Sequence, residues 1–88
     1  MQTFTGTIKQ FPGKSGWFFV DVPNELVPQN PHKTQWGLIP ADFKVGDTRW
    51  TSSLLPKGKG KYFIALKASV RKREDLSFGD TITIHFLN

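Results

Sequence analysis

Seven basic side chains crowd into residues 57–75 of this chain: Lys57, Lys59, Lys61, Lys67, Arg71, Lys72 and Arg73, against Glu74 and Asp75. Residues 1–56 hold five Lys or Arg against four Asp or Glu, and Asp80 is the one charge after residue 75, so this stretch accounts for the net charge of +5. Such a segregated positive band concentrates oxyanions, whether nucleic-acid phosphates, small phosphorylated metabolites or acidic proteins. In a helix through "KASVRKRED", Val70 faces the core while Arg71, Lys72 and Arg73 spread over the other sides. That is also how an ordinary solvated face is built, and basic residues late in a helix favour its negative end. For nucleic acid, Lys61, Lys67, Arg71 and Arg73 are the candidate phosphate contacts, with Glu74 and Asp75 opposing them. In "GKGK", backbone N–H groups of Gly58 to Lys61 form either an anion nest aided by Lys57, Lys59 and Lys61 or a plain hairpin tip. Trp17, Trp36 and Trp50 each cover roughly 200 Å² and are expected in the core. Trp50 is the first candidate for an exposed stacking platform beside Arg49 or Lys67, because "RWTSS" gathers Arg49, Thr51 and Ser53 on one polar face.

Catalysis finds little material. "GKS" at Gly13 to Ser15 lacks the first glycine of a phosphate-binding loop, whose place is taken by Ile8. His32 lies in a proline-rich loop, and His85 points outward from a strand that turns Ile82, Ile84 and Phe86 inward. No serine in an elbow, no spaced histidine pair and no close carboxylate pair accompanies them. The chain has no cysteine, which removes disulfides, thiolate chemistry and cysteine zinc sites. The expectation is a non-enzymatic protein without metal or cofactor.

The elements that must position these residues are mostly strands. A chain of 88 residues buries about 60 to 65% of its unfolded surface, leaving a small core and no room for a large enclosed cavity. An open face or cleft is the expected working surface. "TFTGTIKQF" and "GWFFVDV" read as strands joined over "PGKSG". Pro23 suits the first turn of a short helix over Pro23 to Gln29, with Pro28 and Pro31 preventing anything longer. After the loop "HKTQ" come an extended "WGLIPADF", a "VGDT" turn, the strand "RWTSSLL", a glycine-rich loop "PKGKGK", the strand "YFIAL", the helix "KASVRKRED" and the strand "TITIHF". Asp80 after Gly79 orders a turn through its side-chain acceptors.

An offset of 44 residues lays "FPGKSGWFFVDVPNEL" over "LPKGKGKYFIALKASV", matching Pro12 with Pro56, Gly16 with Gly60 and Phe19 with Phe63. Each half then reads strand, hairpin, strand, short helix, strand. The expected fold is mainly β: a single domain over 1–88, a small barrel with two short helices and a pseudo-two-fold duplication of 1–44 and 45–88, its closure removing exposed sheet edges. The start of the chain has no basic region followed by an apolar run, and no stretch approaches the roughly 18 apolar residues of a membrane span. A soluble, cytoplasmic monomer is expected.

The second half, "FIAL", Lys67, "ASVRKRED", Leu76, Gly79-Asp80 and "TITIHF", resembles the swapped-hairpin motif of AbrB/MazE-type domains. It departs from that motif at Lys67, where a proline is usual, and at Glu74, where a leucine is; the proline survives in the first half as Pro23. Nearly the whole chain is similar to the domain-of-unknown-function family 1905, through "FTGTI", "GWFFVDVP", Trp50 to Tyr62, "LKASVRK" and "GDTITI". The resemblance implies a double-split β-barrel with no established activity. Relatives of the half-motif bind DNA as dimers. Many family members continue into an OmdA-type or bacteriocin-protection segment, and the stop at Asn88 weakens that expectation here. The reading is therefore a binding or accessory module, with a nucleic-acid-binding protein using the 57–73 band as the alternative and a binder of a small anionic or sugar ligand as the third.

Overall fold

Alternation decides which way each strand faces. In Thr81–Phe86, Ile82, Ile84 and Phe86 are buried while Thr81 and Thr83 are exposed, as a half-buried strand requires. The computed structural model describes residues 2–13, 16–27 and 37–87. Its strands are β1 (Thr3–Thr7), β2 (Lys9–Gln10), β3 (Phe18–Asp21), β4 (Ile39–Val45), β5 (Thr48–Gly58), β6 (Lys61–Ala65) and β7 (Thr81–Phe86), with a 3-10 turn at Asn24–Leu26 and the helix α1 at Ala68–Arg73.

All pairings are antiparallel, in the order β1-β7-β4-β5-β6-β3-β2. The two ends of that order, β1 and β2, are one extended run broken at Ile8, so the same stretch borders both ends of the sheet and the ring is nearly closed. Ile8 is buried, its N–H donates to the Asp80 carbonyl at 2.8 Å, and its carbonyl accepts from the Gly79 N–H at 2.9 Å. Phe43, Val20, Ile64 and Ile84, all fully buried, fill the interior.

Exchanging residues 44 apart maps the β3–β6 ladder onto itself. β3 pairs with β6 about Val20 opposite Ile64, and the flanking pairs Phe19 with Ala65 and Asp21 with Phe63 interchange. The bonds that extend this ladder are also mates: Leu66 N–H to the Phe18 carbonyl, and Val22 N–H to the Tyr62 carbonyl. Pro23 and Lys67, again 44 apart, stand extended at the starts of the two helical segments, with φ/ψ of −58/139° and −63/150°.

Those segments differ. The expected helix over Pro23 to Gln29 is, among the described residues, a single 3-10 turn at Asn24–Leu26, and Val27 is already extended (φ −75°, ψ 125°). Pro28 follows it, and a residue before proline is pushed out of the helical region. Of the two short helices expected, α1 alone is an α-helix. It ends with Asp75 in the left-handed region (φ 53°), the Leu76 N–H on the Arg71 carbonyl at 2.8 Å and the Asp75 N–H on that of Lys72 at 3.4 Å. The expected loop "PKGKGK" is also corrected: β5 runs to Gly58, with a register shift between Pro56 and Gly58, and β6 starts at Lys61. Lys59 and Gly60, at φ 55° and 74°, make a two-residue turn whose positive φ values suit the twist of a hairpin. Lys14 and Ser15 of "GKS", the end of the expected first helix at Pro28 and Gln29, Pro31, "HKTQ" with His32, and Trp36 lie outside the described residues.

Candidate anion-binding surface

Trp50 is not a stacking platform. It is 8% exposed and packs against Phe43 at 5.4 Å between ring centres, on the inner side of β5. The alternation that places Arg49 and Thr51 outside turns Trp50 inward. Its indole N–H is buried and has no partner among the described residues. Among the described residues the exposed tryptophan is Trp17, at 52%, against the expectation that it lies in the core.

The basic band divides into three environments. Lys57 is engaged: its ammonium lies 2.7 Å from Asp21 Oδ1 and 5.1 Å over the Phe19 ring, while Lys9 holds Asp21 Oδ2 at 2.8 Å. Phe19 in turn stacks on Phe11 at 3.9 Å and meets Phe63 edge-on at 5.4 Å, a small aromatic cluster outside the barrel. Partial burial of Asp21 opposes its ionisation, but hydrogen bonds and charge from Lys57 and Lys9 outweigh it and hold the carboxyl below its ordinary value. Lys61 borders the same groove, of about 240 Å³, with Asp21, Pro23 and Tyr62. Lys59 is exposed at the β5–β6 turn, away from the rest.

The third environment surrounds α1. Arg49, Lys67 and Arg73 line a cleft of about 120 Å³ between β5 and α1, floored by Trp50, Ser69 and Val70. Lys67 also lines a neighbouring groove of about 300 Å³ with Trp17, Phe18 and Arg71. Val70, the one buried residue of α1, anchors the helix so that Lys67, Arg71 and Arg73 rise around it. Arg71 is held rather than free to sweep: its guanidinium carbon lies 4.1 Å from the Phe18 ring centre, and its Nε–H donates to the Leu66 carbonyl at 3.2 Å. Among the described residues no ion pair engages Arg49, Lys67, Arg71 or Arg73. Glu74, the nearest carboxylate in sequence, accepts from the Thr48 hydroxyl at 2.6 Å and is committed to the β4–β5 end. On the far side of Arg49, Asp42 accepts from the Thr51 hydroxyl at 2.7 Å and shares a shallow cleft with it.

The structure thus brings together Arg49, Lys67, Arg71 and Arg73, separates Lys57 and Lys61 onto the Asp21 side, and leaves Lys59 at a turn. Trp17 was legible in principle, since in "GWFFVDV" it shares strand parity with Asp21, which marks the outer side. His85 sits on β7 opposite Thr3 and Lys44. No group of three His, Cys, Asp or Glu that could hold a metal occurs among the described residues. No helix among them is long and apolar enough to cross a membrane.

A family model described as Domain of unknown function (DUF1905) matches residues 4–86. No curated protein matches the chain.

Proposed function

The chain belongs to the family described as Domain of unknown function (DUF1905), and from that premise we propose that it is a non-enzymatic binding or accessory module, a double-split barrel arisen by duplication, that takes an anionic ligand on the surface around α1. The family description carries no activity, so the reading rests on the surface itself. The observation that supports it is the set of four cations, Arg49, Lys67, Arg71 and Arg73, lining two clefts that share Lys67 with no carboxylate paired to them among the described residues. Like charges gathered without counter-ions repel one another, and an oxyanion placed between them relieves that repulsion. Of the two hydroxyls that flank these clefts, Thr48 is buried with its proton held by Glu74 at 2.6 Å, and Ser69 has no histidine or carboxylate bonded to it among the described residues, which favours binding over chemistry.

Nucleic acid is the second reading, because Arg71 and Arg73 of α1 and Lys67 at its N-terminal cap stand beside an exposed tryptophan. A cytoplasmic monomer is the working form of either reading. The test is a titration of the isotopically labelled chain with ribose 5-phosphate at low ionic strength. Amide shifts are expected at Arg49, Lys67, Arg71 and Arg73, and Lys67→Ala with Arg73→Ala is expected to abolish them. Shifts absent at millimolar ligand, or confined to Lys57, Lys59 and Lys61, would overturn the proposal. With duplex DNA in place of the sugar phosphate, log K should fall against log salt by about 0.9 per phosphate contacted if nucleic acid is the partner.

A further inference from the structure

The groove beside Trp17 has a twin in the other half of the barrel, and the two differ in that only the twin contains a carboxylate. A shift of 44 residues carries Trp17 to Lys61, Phe18 to Tyr62, Lys67 to Pro23 and Ala65 to Asp21. The first member of each pair lines one groove and the second lines the other. In the twin, Asp21 binds Lys57 at 2.7 Å and Lys9 at 2.8 Å, so that groove carries its own counter-ion. Across the pseudo-axis Ala65 stands where the carboxylate would be, and Lys67 and Arg71 have no ion pair among the described residues. The other substitution puts an indole where the twin has a lysine. Trp17 is 52% exposed, and with Phe78 it is one of two large apolar side chains so exposed among the described residues.

An exposed aromatic face and two unpaired cations in one groove recognise different parts of a ligand. A heteroaromatic ring stacks on the indole, and a phosphate meets the ammonium and the guanidinium. With its Nε–H spent on the Leu66 carbonyl, Arg71 is oriented, and its remaining N–H donors keep the planar fork that suits phosphate oxygens. At about 300 Å³ the groove lies at the small end of ligand-sized clefts and suits one nucleotide unit. Lys67 links it to the cleft of Arg49 and Arg73, where the next phosphate of a strand would lie. We infer that the Trp17–Lys67–Arg71 groove binds a nucleotide, its base on Trp17 and its phosphate between Lys67 and Arg71. This rests on the anion-binding reading of the α1 surface and adds a ring requirement to it.

Four probes test it on the full chain by calorimetry: adenosine 5′-monophosphate, ribose 5-phosphate, adenosine and a hexa-adenylate. Adenosine 5′-monophosphate is expected to bind about tenfold tighter than ribose 5-phosphate, the size of one base–aromatic stack. Trp17→Ala should erase that preference without changing the ribose 5-phosphate affinity, Trp17→Phe should retain most of it, and Lys67→Ala should weaken both phosphates. A hexa-adenylate binding tighter than the mononucleotide, with a steeper salt dependence, identifies a single strand as the source; equal affinity identifies a free nucleotide. Equal binding of the two phosphates by the parent chain, or a preference that survives Trp17→Ala, overturns the nucleotide inference and leaves the anion-binding reading standing. Binding of neither phosphate overturns both.

Discussion

Gly6 lies where the ring closes, and replacing it with alanine tests that closure. Its backbone is ordinary for a strand, paired with Ile82 on β7, so no unusual φ calls for glycine there. The constraint is space: a Cβ at position 6 would overlap Cγ1 of Val20 on β3 and touch the Phe4 ring edge at 3.4 Å. Val20 has little freedom to yield. It is fully buried, its branched side chain is stiff at χ1, and its backbone is paired with Ile64 at the centre of the β3–β6 ladder. Overpacking of this kind costs about 1–3 kcal/mol, offset by about 0.5–1 kcal/mol because alanine loses less backbone freedom than glycine in a strand. The expected net loss is about 1–2 kcal/mol, or roughly 5–15 °C in Tm at about 4–8 °C per kcal/mol for a domain of this size. Urea unfolding followed by circular dichroism reads it directly, and a double-mutant cycle identifies the cause. In a Val20→Ala background the clashing Cγ1 is gone, so Gly6→Ala should cost nothing or stabilise, with a coupling of about 1–2 kcal/mol. An equal loss from Gly6→Ala in both backgrounds would refute a steric origin, and no loss in either would refute the close approach of β1 to β3.

Gly79→Val separates backbone strain from crowding: φ is 89° and nothing stands within 4 Å of the Cβ position, so the whole expected loss of about 1–3 kcal/mol comes from the left-handed conformation. A thermal melt unchanged by this substitution would contradict the turn geometry. Asp21→Asn should lower the stability at neutral pH by no more than about 1 kcal/mol because its ion pairs are partly solvated. Since the folded carboxyl is held below its unfolded value, its contribution is present above the ordinary aspartate pKa and disappears as pH falls through the lowered one. The gap between parent and Asp21→Asn melts should therefore close in acid; a gap independent of pH would show that the charge of Asp21 plays no part.

Local chemistry was readable wherever neighbours in sequence settle the outcome. Gly46 and Asp47 form the two-residue turn that joins Val45 to its partner Thr48, with Gly46 at φ 56°. Asp80 orders the turn before β7 by accepting from the Ser77 N–H at 2.8 Å. Alternation oriented β7 correctly, and the same rule applied strictly to "RWTSS" and "GWFFVDV" puts Trp50 inside and Trp17 outside. Trp50 meets the core expectation and Trp17 departs from it; the alternative that exposed Trp50 sets the polar company of Arg49 above the parity that separates them. The length of β5 was not legible, because glycines in "PKGKG" read as a loop, whereas cross-strand bonds to β6 carry the ladder through them.

From its own residues the chain determined a mainly β fold, its turns and the bunching of positive charge, because hydrophobic period, glycine φ and formal charge act over a few neighbours. Tertiary structure alone decided which of those charges are unpaired. Lys57 and Asp21 are 36 residues apart, yet their atoms lie 2.7 Å from each other, while Arg49 comes from a different strand to stand with Lys67 and Arg73. Coulomb attraction depends on distance through space and on exposure to water, and neither is set until the strands have taken their places around the ring.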